Sequence, residues 1–108
     1  MSKAARISQR IDQLETEYRA SLVAALSECS EGRWGLFGQN EHLGNRMQNE
    51  RLDGLRGLAD IINSLRKRIG DAPYPLHEEF ESARGRGDPH QIGEPKLAEY
   101  WLARLEVE

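Results

Sequence analysis

Apolar residues in the first third of the chain keep a helical interval without a break, and this run constrains the fold more than any other feature. Ile7, Ile11, Leu14, Tyr18, Leu22, Ala25 and Cys29 follow one another at steps of four, three, four, four, three and four. Such spacing lines side chains up along one face of an α-helix. Arg10, Asp12, Gln13, Glu15, Glu17 and Arg19 fall on the remaining faces, and neither proline nor glycine interrupts the stretch from Ala4 to Glu31. The spacing therefore predicts one continuous helix over 4–31, about 40 Å long at 1.5 Å per residue. An apolar stripe of that length must be covered, either by a second long helix or by another subunit.

The segment Gly32-Arg33-Trp34-Gly35-Leu36-Phe37-Gly38 places three glycines in seven residues, which favours a turn over continued helix. Helical sequence resumes after Asn40. Asn45, followed three residues later by Gln48, resembles a capping pair, so the firm start lies between those two asparagines. Met47, Leu52, Leu55, Leu58, Ile62, Leu65 and Ile69 then form a second stripe. The cations Arg66, Lys67 and Arg68 with Gly70 behind them mark a helix C-terminus, where the helix dipole favours positive charge and glycine can reverse the backbone. Gly54 and Gly57 sit inside this helix, each costing close to 1 kcal/mol relative to alanine. Close approach of another helix is the expected compensation, and a hinge or ligand contact the functional alternative.

Past Asp71-Ala72-Pro73-Tyr74-Pro75, a short helix is predicted over 76–84 with Leu76, Phe80 and Ala83 on one side and Glu78 and Glu79 in its first turn. Residues 85–94 read as the only long polar loop and the segment expected to move most. Pro95 suits a first helical position, and Leu97, Trp101, Leu102 and Leu105 give a closing helix its apolar face. No fixed-period repeat and no sustained strand-like alternation is present. The pattern predicts an all-α fold: an antiparallel long-helix hairpin with two shorter C-terminal helices packed on it, a single helical domain over 1–108, completed by dimerisation because those two helices are not expected to cover both long stripes.

Charge is unevenly spread. The net value is −3, which gives the whole chain no pull toward nucleic acid or an anionic membrane. Residues 1–31 carry four basic and five acidic groups, residues 32–70 seven and four, and residues 71–108 four and nine. A basic middle and an acidic tail are expected to attract each other, within the chain or across a dimer. Nucleic-acid binding through Arg51, Arg56, Arg66, Lys67 and Arg68 is the weakest of the functional readings for the same reason. The lone Cys29 excludes an internal disulfide and fits a reducing, cytoplasmic setting. The longest apolar run, Leu22 to Leu26, is far short of the roughly 20 residues that span a bilayer. The N-terminal residues lead into amphipathic sequence rather than a secretory signal.

Chemistry-bearing constellations are weak. His77 and Glu81 are four apart and would share a helix face, but two ligands fall short of the three or four that a protein metal site needs. His42, His77 and His90 are expected to be solvated. Cys29 falls on the apolar stripe, where a thiol behaves as a small inert hydrophobe. The glycines at 32–38 lack the preceding strand and the Lys-Ser/Thr of nucleotide loops. No cofactor and no metal is expected, and the balance favours a non-enzymatic role.

What stands out instead is the turn itself. Trp34, Leu36 and Phe37 beside Arg33 have the composition of an interface hot spot. Trp34 and Phe37 could equally plug the end of the hairpin against Tyr100 and Trp101. The expectation is an interaction module: a homodimer, with a possible second protein partner contacted through Arg33, Trp34, Leu36 and Phe37 and through the 85–94 loop. The alternative is a small ligand-binding or enzymatic bundle, with a pocket enclosed by the turn, Tyr74, His77 and the last helix.

Overall fold

A computed structural model describes residues 2–32, 45–83 and 94–107, the side chains at 45–49, 94 and 107 excepted. Among the described residues the chain is all-helical: α1 (Lys3–Ser30), α2 (Asn45–Arg68), α3 (Pro75–Ala83) and α4 (Glu94–Val107), with no strand. The start of α1 is set by Ser2, whose extended backbone turns its hydroxyl onto the Ala5 N–H at 3.1 Å. That contact satisfies one of the amides a helix start leaves without a partner. Gly32 stops the helix with φ at 78°, its N–H donating to the Cys29 carbonyl.

The end of α2 is built by Gly70. Its φ of 80° lets its own N–H reach the Lys67 carbonyl at 3.1 Å and the Asp71 N–H reach the Arg66 carbonyl at 2.8 Å. These paired bonds are those of a Schellman cap. The connection to α3 is held by side chains of α2. Asn63 accepts the Tyr74 N–H at 2.8 Å, and Arg66 donates to the Ala72 carbonyl at 2.8 Å while its guanidinium lies 5.5 Å from the centre of the Tyr74 ring. Pro75 then opens α3, a position where its missing N–H costs nothing.

One apolar cluster draws on all four helices. On α1 it takes Ile11, Leu14, Tyr18, Leu22, Ala25, Leu26 and Cys29, with Ile7 packed at its edge. The predicted stripe is therefore the buried face, and Leu26, Ala59, Tyr74 and Ala98 join the core beyond the expected residues. α1 packs against both α2 and α4. α3 adds Phe80, fully buried and edge-on to Trp101 of α4 with ring centres 6.1 Å apart. The molecule measures 51 × 27 × 19 Å.

Two expectations change with this packing. The described residues of both long stripes are covered by the chain's own helices, down to Ile7 on α1 and Leu58, Leu65 and Ile69 on α2, which are partly buried; the Met47 side chain lies outside the described residues. A second subunit is thus not needed to hide them, and self-association has to be argued from other surfaces. Gly54 and Gly57 are exposed, and a Cβ built on either would meet nothing within 4 Å. Among the described residues no other helix approaches them closely, because the face of α2 that packs on α1 is the opposite one, through Leu52, Leu55, Ala59 and Ile62.

Candidate functional site

The most chemically distinctive group joins α1, α2 and α3. Tyr18, fully buried on α1, places its hydroxyl 2.7 Å from Nδ1 of His77 on α3. The Tyr18 ring also lies edge-on to Tyr74 and to His77, at 5.1 and 5.5 Å between centres. The other ring nitrogen of His77, Nε2, is 3.8 Å from Glu81 Oε1, too far for a hydrogen bond. Glu81 in turn takes both Nε (2.8 Å) and an Nη (3.1 Å) of Arg56 on α2, the two-pronged geometry that suits a guanidinium and a carboxylate.

Protonation follows from this arrangement. Burial pushes the Tyr18 phenol well above its usual value, with the nearby Tyr74 and Glu81 adding to the effect. Burial also lowers the His77 pKa below its usual value, and Glu81 opposes that only in part. Both groups are thereby held neutral near pH 7, and the tautomer with its proton on Nε2, the nitrogen that faces the Glu81 carboxylate, lets Nδ1 accept from the Tyr18 hydroxyl. His77 is not the solvated residue expected from its place near a helix N-terminus, since its side chain is only 14% exposed. The expected sharing of a face by His77 and Glu81 holds, but as part of an internal polar chain. A phenol with no exposure cannot touch a substrate, and with Glu81 and Arg56 this polar chain ties α1, α2 and α3 together.

A second feature is an open groove of about 540 Å³ lined by Asp12, Glu15, Thr16 and Arg19 of α1, Tyr74, Pro75 and Leu76, and Arg104 of α4. Its charged lining is two carboxylates and two guanidinium groups. Much of this charge is already engaged: Glu15 with Arg66 at 3.1 Å, Arg19 with the Leu105 carbonyl at 2.9 Å, and Arg104 with Glu79 while lying over the Trp101 ring. Tyr74 and the last helix line this groove as the ligand-binding alternative expected, but His77 is turned away from it, toward Tyr18.

The basic middle of the chain is largely tied down. Arg51 pairs with Glu28, Arg56 with Glu81, and Arg66, 18% exposed, with Glu15. Opposite charges on neighbouring segments thus do meet within the chain, and three of the five cations of a polyanion-binding surface point at its own carboxylates. Lys67 and Arg68 remain exposed. Cys29 is buried, as its place on the stripe implied. Among the described residues, no group of three or more His, Cys, Asp and Glu side chains is placed to hold a metal ion, and no helix is long and apolar enough to cross a membrane.

Arg33, Trp34, Leu36 and Phe37, the residues singled out for partner binding, lie outside the described residues, as do His42, His90 and the loop up to residue 93. Of the two α4 aromatics expected to meet that turn, Trp101 is buried against Phe80 and Tyr100 faces outward, 63% exposed. Sequence reasoning missed the Tyr18–His77 pair. The available signal was a hydroxyl-bearing ring on an otherwise aliphatic stripe, since a buried phenol nearly always finds a partner. No protein-family model matches this chain, and neither does any curated protein or solved structure.

Proposed function

We propose that this chain is a small helical interaction module, built on an antiparallel hairpin of α1 and α2 with α3 and α4 packed on it, that associates with a second copy of itself and offers further surface to another protein. Two ion pairs support the hairpin: Glu28 meets Arg51 and Glu15 meets Arg66, so the chain positions fall on α1 as they rise on α2. The observation that carries the functional reading is the outward side of α2, where Ile61 is 50% exposed beside two glycines that none of the described residues covers. Two helix-weakening glycines cost stability in an isolated chain, and a partner on that face would offset the cost while burying the bare part of Ile61. Arg33, Trp34, Leu36 and Phe37 are the proposed contacts for a different protein, and one buried thiol suits a cytoplasmic setting.

Sedimentation velocity from low to high micromolar concentration tests the reading. A reversible shift toward a dimer is expected, and a monomer throughout the range overturns it. A second reading rests on the groove beside Arg19 and Arg104, whose lining of both carboxylates and guanidinium groups would suit a small zwitterion with amino and carboxylate groups. A saturable rise in melting temperature with such compounds would favour it, and their lack of effect would remove it.

A further inference from the structure

Six positions of α2, namely Glu50, Gly54, Gly57, Ile61, Ser64 and Arg68, follow one another at steps of four, three, four, three and four. All six are exposed, and together they trace a straight seam on the side of the helix opposite Ala59, which is buried against α1. The steps are symmetric about residue 59, so a second copy laid antiparallel along this seam brings Gly57 opposite Ile61, Gly54 opposite Ser64, and Glu50 opposite Arg68. Each of these pairings is complementary. The isoleucine of one copy meets the place where the other has no side chain and where nothing lies within 4 Å, small faces small, and acid faces base. A parallel pairing does the opposite: it sets Ile61 against Ile61, Glu50 against Glu50 and Arg68 against Arg68.

The flank agrees at its ends. A two-fold axis across the seam keeps each flank on its own side, which brings Asp53 of one copy near Lys67 of the other, both exposed. Near the axis Asp60 approaches its own symmetry mate, an unfavourable contact that limits the strength of the pair. We propose that α2 is a self-recognition helix, pairing antiparallel with α2 of a second copy about a two-fold axis at the level of residue 59, with Ile61 of each chain seated over Gly57 of the other. The unexplained glycines then have a purpose: they let two helix backbones approach closely and receive a side chain.

The proposal rests on the self-association reading but can fail separately from it. Sedimentation of the wild-type chain decides the first, and seam variants decide the second. Gly57→Leu extends a side chain into space that is open in the single chain, so helicity and melting should hold or improve while dimerisation drops by about tenfold or more. Ile61→Arg should weaken the pair similarly, and Asp60→Asn should tighten it. Mixing Gly54→Cys chains with Ser64→Cys chains under mild oxidation should give a cross-linked dimer, whereas either variant alone should not, because identical positions lie about 15 Å apart along the axis. A wild-type monomer at all concentrations removes both readings. A wild-type dimer unaffected by Gly57→Leu and Ile61→Arg, or efficient self-cross-linking of Gly54→Cys alone, overturns the α2 seam and leaves self-association to another surface.

Discussion

The Tyr18 hydroxyl and His77 Nδ1 form a buried polar contact between distant parts of the chain, 59 residues apart in sequence. Removing the donor while leaving the acceptor in place exposes its worth most directly. Tyr18→Phe strands Nδ1 away from water, and equilibrium urea unfolding should show a loss of about 1–3 kcal/mol. Acid acts on the same contact. His77 has a folded-state pKa below its ordinary 6.5, chiefly through burial, so below that pH the unfolded chain takes up a proton that the folded chain resists. Stability is accordingly complete above the ordinary histidine value and declines as pH falls through the lowered one. The melting temperature should therefore drop on acidification from pH 7, and His77→Asn, whose amide oxygen can take the place of Nδ1 without titrating, should flatten that drop. The residues alone signalled only that Tyr18 needs a partner, not which one. Which residue of α3 would face Tyr18 depends on how the helices cross, and a histidine in a first helical turn is usually wet.

At the scale of elements, the four helices were largely legible because the signals that make them are local. Seven apolar positions at helical steps defined α1, Gly70 behind three cations defined the end of α2, and Pro75 opened α3 one residue ahead of the expected start. Less legible was the purpose of the glycines, since a glycine that ends a helix and one that thins its surface look alike until their surroundings are known. The structure separates them by backbone and by space. Gly70→Ala forces a side chain into a left-handed conformation and should destabilise by about 1–2 kcal/mol in thermal or urea unfolding. Gly57→Ala lies in right-handed helix with open space around it, so it should stabilise the single chain by up to about 1 kcal/mol. The opposite signs of two glycine-to-alanine changes in one helix would confirm that only one of them serves the fold.

Across the whole molecule, α1 serves as the shared wall against which α2 and α4 both pack, with α3 bridging them through Phe80, His77 and Glu81. The sequence stripe implied a long face in need of cover, and what supplies the cover is the chain itself. That outcome moves the case for a second copy from the buried side of the helices to the bare side of α2. Its pattern was present in the sequence as Glu50, Gly54, Gly57, Ile61, Ser64 and Arg68, but a seam with one aliphatic residue does not register as a stripe until its exposure is known. If two chains meet antiparallel along this seam, a spin label at Ser64→Cys reads the geometry through its distance to the same label in the partner. Ten residues of axial offset and a close helix contact predict a separation of about 18 Å in frozen concentrated solution. A separation under about 10 Å would indicate parallel pairing, and an absence of dipolar coupling at concentrations where the chain sediments as a dimer would place the contact elsewhere.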